Sequence, residues 1–316
     1  MTRTDKPVSP MLADNKHYIA DLNELVEIGH LANPMFASYK MDGIRAFVEN
    51  GVVLSRTRKP IPSAFVQRTF GALEGCDGEL TCGSPCGPTL YQDTYSAVMT
   101  HASSVPVEFR VFDLWNVLED YDQRYQILSD IVEDETEHVQ LVDQIRCSTP
   151  LDIEKAENEA LALGYEGLIL RRLTGPYKFG RSTWKEGYLL KLKRFQDAEA
   201  RIVGFEELMH NANEAGTDER GYTKRTSHKA NLVGMDTLGA LVCEGINGPF
   251  KGVGFKIGTF KNYSKDQLRV LWLIREQLKG QLVRYSYQQC GTKDAPRHPR
   301  IDQEKVMMGF RDPMDM

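Results

Sequence analysis

The sequence predicts an α+β chain of two units: a mixed helix-and-strand part, then a small β-barrel. Three observations carry this. Up to Asp197, strand and helix patterns follow one another without regular βαβ alternation. After Phe195 the texture changes to short strands with a single helix among them. The length, 316 residues, suits two domains of ~150 residues each. The composition is 41% hydrophobic and 26% charged, with a mean hydropathy of −0.41. These values exclude a disordered, collagen-like or membrane-embedded chain.

Phe36–Tyr39 reads as a strand. Ile44–Val48 and Val52–Ser55 read as two more, joined at Glu49-Asn50-Gly51, and Asn-Gly between apolar runs is a strong hairpin signal. Lys40–Gly43 is then the bend that feeds the hairpin, so a lysine there is held by strands on both sides. Helices are expected over Ala64–Leu73, over residues 121–132, where Tyr121, Tyr125, Leu128 and Val132 recur at helical spacing, and over Asp152–Leu163, stopped by Gly164. Apolar strands are expected at Glu108–Leu114, Gly167–Leu170 and Tyr188–Leu192.

In the second unit, Arg201–Phe205, Leu238–Glu244, Gly252–Ile257, Leu282–Tyr287 and Val306–Phe310 read as five strands. Ser264-x-x-Gln267 is a capping-box pattern, and Leu268, Leu271, Ile274 and Leu278 follow on one helix face. Five strands and one helix fit a Greek-key barrel such as the OB-fold. The expected division is 1–197 and 198–316, with an inserted basic loop at 208–232 that holds Arg220, Lys224, Arg225, His228 and Lys229. A loop so long in a compact domain is usually functional or mobile. Residues 1–197 carry 21 Lys+Arg against 29 Asp+Glu; residues 198–316 carry 18 against 15. The acidic front half does not resemble a general nucleic-acid clamp, whereas the basic back half could be one.

No apolar run approaches the ~20 residues that span a bilayer. The start, MTRTDKPVSPMLADN, lacks a charged-then-apolar leader, so a cytoplasmic protein with no membrane partner is expected. The six cysteines do not make a disulfide scaffold. Cys76, Cys82 and Cys86 lie close together but no CxxC pair or neighbouring His completes a zinc set, so reduced thiols are expected.

Chemistry concentrates in Lys40-Met41-Asp42-Gly43-Ile44-Arg45, the pattern K-x-D-G-x-R. Alone it also describes a surface turn with two solvated cations. A lysine nucleophile must lose a proton at a pKa normally near ~10.4, and neighbouring cations assist by penalising the charged form. Lys191 and Lys193, two apart on a strand, face one side, where two ammoniums suit a phosphate that gains charge; the same pair also suits a solvated strand edge. Glu79 and Glu166 stand at the ends of apolar strands, as working carboxylates or as rim partners of arginines.

Taken in order, Lys40–Arg45, Asp77-Gly78-Glu79-Leu80, Val111-Phe112-Asp113-Leu114, Glu166-Gly167-Leu168-Ile169 and Leu190-Lys191-Leu192-Lys193 resemble the covalent nucleotidyltransferase superfamily of ATP-dependent DNA ligases, RNA ligases and mRNA capping enzymes. The compact length looks most like the small bacteriophage-type ATP-dependent DNA ligases, and Pro10-Met11-Leu12-Ala13 looks like a ligase feature. The resemblance implies a nucleotidyltransferase (adenylation) domain of antiparallel sheets with helices, followed by an OB-fold. It implies that Lys40 attacks the α-phosphorus of ATP, that AMP passes to a 5′-phosphate, and that a 3′-hydroxyl then closes a nick in duplex DNA. In this reading Arg45, Glu79, Phe112, Lys191 and Lys193 bind the nucleotide, with Phe112 against adenine and both lysines on the α-phosphate. Glu166 holds Mg²⁺, and Glu79 holds ribose or metal. Arg56 lies near the 5′-phosphate of the nick, Arg181 is a weaker candidate for the same cluster, and Lys224, Arg225 and Lys229 grip the duplex. A monomer suffices.

The sequence departs from the family at two places. Ser38 replaces the carboxylate common two positions before the lysine, and the tail Gly309-Phe310-Arg311-Asp312-Pro313-Met314 only partly matches Arg-x-Asp-Lys, leaving Arg297, Arg300 and Lys305 as other sources of charge. The competing readings are an RNA ligase or capping-type guanylyltransferase with the same first step, and a catalytically silent nucleic-acid-binding module.

Overall fold

Two sheets with helices on their outer faces form the first unit of the computed structural model, which describes residues 9–14, 19, 21–87, 89–133, 135, 137–217, 223–226, 228–288, 294–302 and 310–311. The chain divides into compact units at Met1–Lys193 and Arg194–Met316. In the first unit, α1 (Asn23–Glu27) precedes β1 (Met35–Tyr39), β2 (Ile44–Glu49) and β3 (Val52–Ser55). The β2–β3 turn is two residues, Asn50 at φ 53° and Gly51 at φ 74°, the twist a tight hairpin needs. Then follow α2 (Ala64–Phe70), β4 (Cys76–Thr81), α3 (Leu90–Met99), β5 (Glu108–Leu114), α4 (Tyr121–Glu133), β6 (Val139–Leu141), β7 (Ile145–Cys147), α5 (Pro150–Ala162), β8 (Gly167–Arg172) and β9 (Leu189–Lys193).

The strands make a five-stranded sheet, β3-β2-β4-β5-β6, and a four-stranded sheet, β7-β1-β8-β9, antiparallel except for β5–β6. Each sheet has its own helical cover. Val66 and Phe70 of α2, Ala97 and Val98 of α3 and Leu128 of α4 bury against Ala46, Val48, Leu80, Phe109 and Val111. Ile153, Ala156 and Ala160 of α5 bury against Ala37, Leu168, Leu170 and Leu190. The inner faces meet through Met11, Phe47, Leu54, Trp115, Tyr177 and Leu189. Helix α5 begins two residues earlier than expected because Thr149 and Asp152 form a reciprocal capping box with Pro150 at the first turn, and it stops before Gly164 at φ 90°. Strands β6 and β7 and helix α3 lie outside the sequence expectation; the two strands are three residues each, too short to show a period.

The second unit holds the OB-type strands and more. Its elements are β10 (Gln196–Asn211), β11 (Ala215–Thr217), β12 (Thr223–Arg225), β13 (Leu232–Gly245), β14 (Gly254–Ile257), β15 (Thr259–Lys261), α6 (Lys265–Leu273), α7 (Arg275–Leu278), β16 (Leu282–Gln288), β17 (Arg297–Asp302) and β18 (Phe310–Arg311). Among the described residues the sheet runs β14-β13-β10-β16-β17-β15, with β18 also on β16 and β15–β17 parallel. Ser264 and Gln267 form the expected capping box, and Leu268, Leu271, Ile274 and Leu278 pack on Ile202, Leu241, Val283 and Tyr285. Of the expected strand Val306–Phe310, residues 306–309 lie outside the described residues, as do Arg220, Cys290, Lys305 and Asp312. β15 and β17 are additions to the five strands expected.

In the expected loop at 208–232, residues 208–211, 215–217, 223–225 and 232 are in strands. β10 and β13 run on as an antiparallel ribbon from Ala200↔Gly245 to Asn211↔Leu232, and β11–β12 form a small hairpin beyond it. Buried Asn213 ties the ends, donating to the Thr226 and His228 carbonyls at 3.0 and 2.9 Å. At the ribbon tip Leu208 and Met209 are adjacent, as are Leu232 and Val233, so the apolar residues do not alternate and no period marked it as a strand. Among the described residues, no helix is long and apolar enough to cross a membrane.

Candidate active site

A cavity of about 130 Å³ opens between the two sheets of the first unit. Its wall carries Ser38, Tyr39, Lys40 and Met41 from the end of β1, Arg45 and Glu79 from the paired strands β2 and β4, and Phe112 from β5. Ile169 and Arg171 of β8 close the other side, with Leu12 and Ala13 at the edge. The Pro10–Ala13 segment is pinned there. The Met11 N–H donates to Tyr177 Oη at 3.1 Å, Leu12 bonds Gly180 and Ser182 at 2.8 Å, and the Arg181 guanidinium holds the Ala13 carbonyl.

Lys40 sits where strand pairing passes into the bend. Its N–H donates to the Gly167 carbonyl at 2.9 Å, and its carbonyl accepts from the Glu166 N–H at 3.3 Å. Lys40 Nζ lies 2.6 Å from Glu166 Oε2, and Lys193 Nζ lies 2.8 Å from the same oxygen. Burial pushes the Glu166 carboxyl up, but the two ammoniums outweigh it and hold it below the usual carboxylate range. Gly43 of the K-x-D-G-x-R string answers a close approach: a Cβ there would lie 2.3 Å from the Leu80 carbonyl oxygen. Gly167 answers another. It sits at φ 137°, and a Cβ would lie 2.2 Å from the Leu192 oxygen.

Cations were expected to crowd Lys40. Cations also bear on Lys191. Burial first, then Lys193, Arg181 and Lys40, lower its pKa to about 8, against Asp14. On the opposite wall, burial raises the Glu79 carboxyl to about 7, against the pull of Arg45 and Lys40. An acid neutral up to that pH can donate a hydrogen bond as well as accept one.

Arg45 is fixed by a bidentate pair. Its Nε and Nη2 each lie 2.6 Å from a carboxylate oxygen of fully buried Asp77. Tyr177 Oη also donates to Asp77, at 2.5 Å. The guanidiniums of Arg45 and Arg171 stand 4.4 and 4.9 Å from the Phe112 ring centre. Behind Phe112, Asp113 accepts from Arg171 Nη1 at 2.6 Å and from Arg124 Nε at 2.7 Å, all three buried.

The sequence profile described as the ATP dependent DNA ligase domain matches residues 10–193. The chain belongs to the ATP-dependent DNA ligase family. Within this family the covalent lysine–AMP route is general. A DNA ligase 1 from Korarchaeum cryptofilum is 26% identical over 226 residues, covering 64% of this chain and 39% of that protein, so the chain spans about two fifths of that relative's length. The Chlorella virus DNA ligase-adenylate crystal structure is 29% identical over 93% of this chain and 96% of its own, at a TM-score of 0.50. A structure from a study of Lig E DNA ligases, at 23% identity and a TM-score of 0.64 over 90% and 96% of the two chains, shows the shared fold.

Of the residues expected at a ligase site, Lys40, Arg45, Glu79 and Phe112 line the cavity, and Glu166 and Lys193 join through Lys40. Arg56 stands exposed in the turn after β3, away from the cavity lining. Lys224, Arg225 and Lys229 are exposed in the second unit, with the Arg225 guanidinium holding the Asn213 carbonyl. Sequence reasoning missed Arg171, Asp77, Asp113, Arg124 and Tyr177 as site residues. Asp77 and Asp113 stood inside quoted motifs, but their arginines lie 32, 11 and 58 positions away and nothing local links them.

As a metal site, the donor set is sparse. Among the described residues no three His, Cys, Asp or Glu side chains gather. Glu166 offers an ionised carboxylate beside Lys40, which fits Mg²⁺ where substrate phosphates and waters supply the remaining oxygens. Cys76, Cys82, Cys86, Cys147 and Cys243 are free thiols.

Proposed function

We propose that this chain is an ATP-dependent DNA ligase that seals nicks in duplex DNA through a lysine–AMP on Lys40. The observation that supports it most is that Lys40, on the cavity wall, shares one buried carboxylate oxygen of Glu166 with Lys193. Lys40 leaves that ion pair and loses a proton. Its Nζ then bonds the α-phosphorus of ATP, and pyrophosphate departs with the electrons of the broken P–O bond. Lys191 and Lys193 hold the α-phosphate oxygens as charge grows on them. A 5′-phosphate oxygen next displaces Lys40 from the phosphorus. The 3′-hydroxyl finally attacks the activated 5′-phosphate and releases AMP. Phe112 gives adenine a flat face, Arg45 lies beside the nucleotide, and Glu79, protonated or ionised near neutrality, bonds the ribose hydroxyls. Glu166 with ATP phosphates would hold Mg²⁺, which supplies charge neutralisation. Arg56 is assigned to the 5′-phosphate of the nick. A single copy carries every residue named, so a cytoplasmic monomer is the assigned form.

The deciding experiment incubates the protein with α-labelled ATP or GTP and Mg²⁺, then denatures it. Label from ATP should stay on the chain in alkali, leave in acid, and chase onto nicked DNA; Lys40→Ala should take none. Label from GTP alone would point to a capping-type guanylyltransferase, a chase onto RNA alone to an RNA ligase, and no label to a silent binder.

Lys191 gives the reaction a pH signature. In the free protein it is largely neutral above about pH 8, and a phosphate beside it favours the ammonium. ATP binding at pH 8.5 should therefore take up a proton, and affinity should weaken as the pH climbs past 8. Titration calorimetry in buffers of different ionisation enthalpy reads the uptake. Lys191→Arg should abolish it, and equal uptake by both proteins would exclude Lys191 as its source.

The ribbon of the second unit is assigned to the duplex. Its exposed Lys224, Arg225 and Lys229 would meet phosphates, contacts that set position without reading sequence. Replacing all three by alanine should flatten the log–log salt dependence of nick binding by roughly 2–3, at ~0.9 per contact. An unchanged slope would remove the ribbon from the interface.

A further inference from the structure

Arg58 occupies a place that glycine takes without strain. Strand β3 ends at Ser55, and residues 56–58 form a three-residue loop. Two backbone bonds of 2.8 Å close it: the Arg58 N–H donates to the Ser55 carbonyl, and the Ser55 N–H donates to the Lys59 carbonyl. The last residue of such a hairpin loop is commonly left-handed, and here it is Arg58, at φ 65°. A side chain in that conformation strains the backbone, and the strain persists only where the surroundings over-determine it. They do so here. Arg58 Nη2 lies 2.6 Å from Glu49 Oε2, with the two side chains only 17% and 12% exposed, so water screens the pair little. The same guanidinium stands 6.0 Å from the Phe47 ring centre. The Ser55 hydroxyl bonds the Thr57 hydroxyl and accepts the Lys59 N–H, both at 3.2 Å. This bracing leaves Arg56 exposed at the start of the loop. Ser55 pairs with Ala46, so the loop leaves the hairpin at the end next to the Lys40–Gly43 bend.

We infer that Arg58 is a positioning residue, whose ion pair with Glu49 holds the loop 56–58 in the shape that presents Arg56 to the phosphate of a nick. This inference rests on the assignment of Arg56 to the 5′-phosphate. An arginine on a loose loop loses freedom when it binds, and that loss subtracts from the contact; on a braced loop it is lost beforehand. The pair acts where DNA is engaged and not in the labelling of Lys40, because neither Arg58 nor Glu49 lines the cavity.

The test follows AMP transfer in a single turnover. The chain is labelled on Lys40 with α-labelled ATP, freed of ATP and mixed with excess nicked duplex. In this step a 5′-phosphate oxygen bonds the AMP phosphorus, the bond from Lys40 Nζ to phosphorus breaks, and the lysine takes up a proton. The variants are R58G, E49Q, R56A and the double variant R56A/R58G. Glycine relieves the backbone as it removes the ion pair, so R58G should melt near the wild-type temperature and take label at the wild-type rate. Its AMP transfer should nevertheless slow about tenfold, as misplacement of a contacting group does. E49Q, which keeps the arginine but removes its counter-charge, should slow the same step. In the R56A background, R58G should add no further loss, because Arg58 acts through Arg56. Transfer by both R58G and E49Q at the wild-type rate would overturn the inference. So would an equal slowing by R58G with and without Arg56, which would make the two residues independent. If R56A itself transferred AMP as fast as the wild type, the assignment of Arg56 to the nick would fall and the inference with it, so the two failures are distinct.

Discussion

Asp113→Ala is expected to lower the first unfolding midpoint of the chain by roughly 10 °C. Asp113 is completely buried and holds two guanidiniums, Arg124 at 1% and Arg171 at 3% exposure. Its removal leaves both positive charges inside the protein with no counter-charge. Breaking a buried pair from one side costs about 3–5 kcal/mol. For a unit of this size each kcal/mol moves the midpoint by about 2–4 °C. Arg124 keeps two carbonyl partners, Glu119 at 2.6 Å and Gly175 at 2.9 Å, which places the loss toward the lower part of that range. Asp113→Asn keeps an acceptor and should fall between the two proteins. Differential scanning calorimetry on the full chain measures this, and a shift below about 3 °C for the alanine variant would contradict the account.

Glu166→Gln is expected to slow labelling by at least about 100-fold while leaving the chain folded. The carboxylate is the shared partner of Lys40 and Lys193, and its side chain is only 5% exposed. The amide has nearly the same shape but no charge. The two ammoniums then lose their counter-ion while remaining neighbours, and Lys40 swings away from the cavity. Removing one preorganised electrostatic partner from an active site typically costs about 10²–10³ in rate. Lys40 is 20% exposed and Lys193 18%, so water screens part of the repulsion and stability should change far less than rate. Single-turnover label incorporation reads the effect. A Glu166→Gln rate within threefold of wild type would mean that the carboxylate plays no part in placing Lys40.

Local signals in the sequence were legible where the chain pairs with itself nearby. Asn50-Gly51 marked the β2–β3 hairpin, Ser264 and Gln267 marked the start of α6, and Glu108–Leu114 appears as β5 with the same bounds. Motif order likewise singled out Lys40, Arg45, Glu79 and Phe112, which share one cavity. Distant partners left no trace. β15 pairs with β17 across about forty residues, and β6 adds to β5 in parallel, so neither has a hairpin turn to announce it. Arg171 ends an apolar strand and reads as a surface cation until Asp113 is seen behind it. Its importance depends on burial, which one strand's sequence does not encode. The outer part of the β10–β13 ribbon was hidden for another reason: its apolar residues, Leu208-Met209 and Leu232-Val233, stand side by side instead of alternating.

The backbone of Lys40 is stitched to Glu166 and Gly167 by two hydrogen bonds. The anchor therefore cannot travel; only the four-carbon arm beyond it can. In the proposed reaction, swapping partners from carboxylate to phosphorus is then a matter of rotamer hops, which take picoseconds to nanoseconds where the side chain has room. The Lys40 nitrogen of that reaction explores its target many times during each residence of the nucleotide.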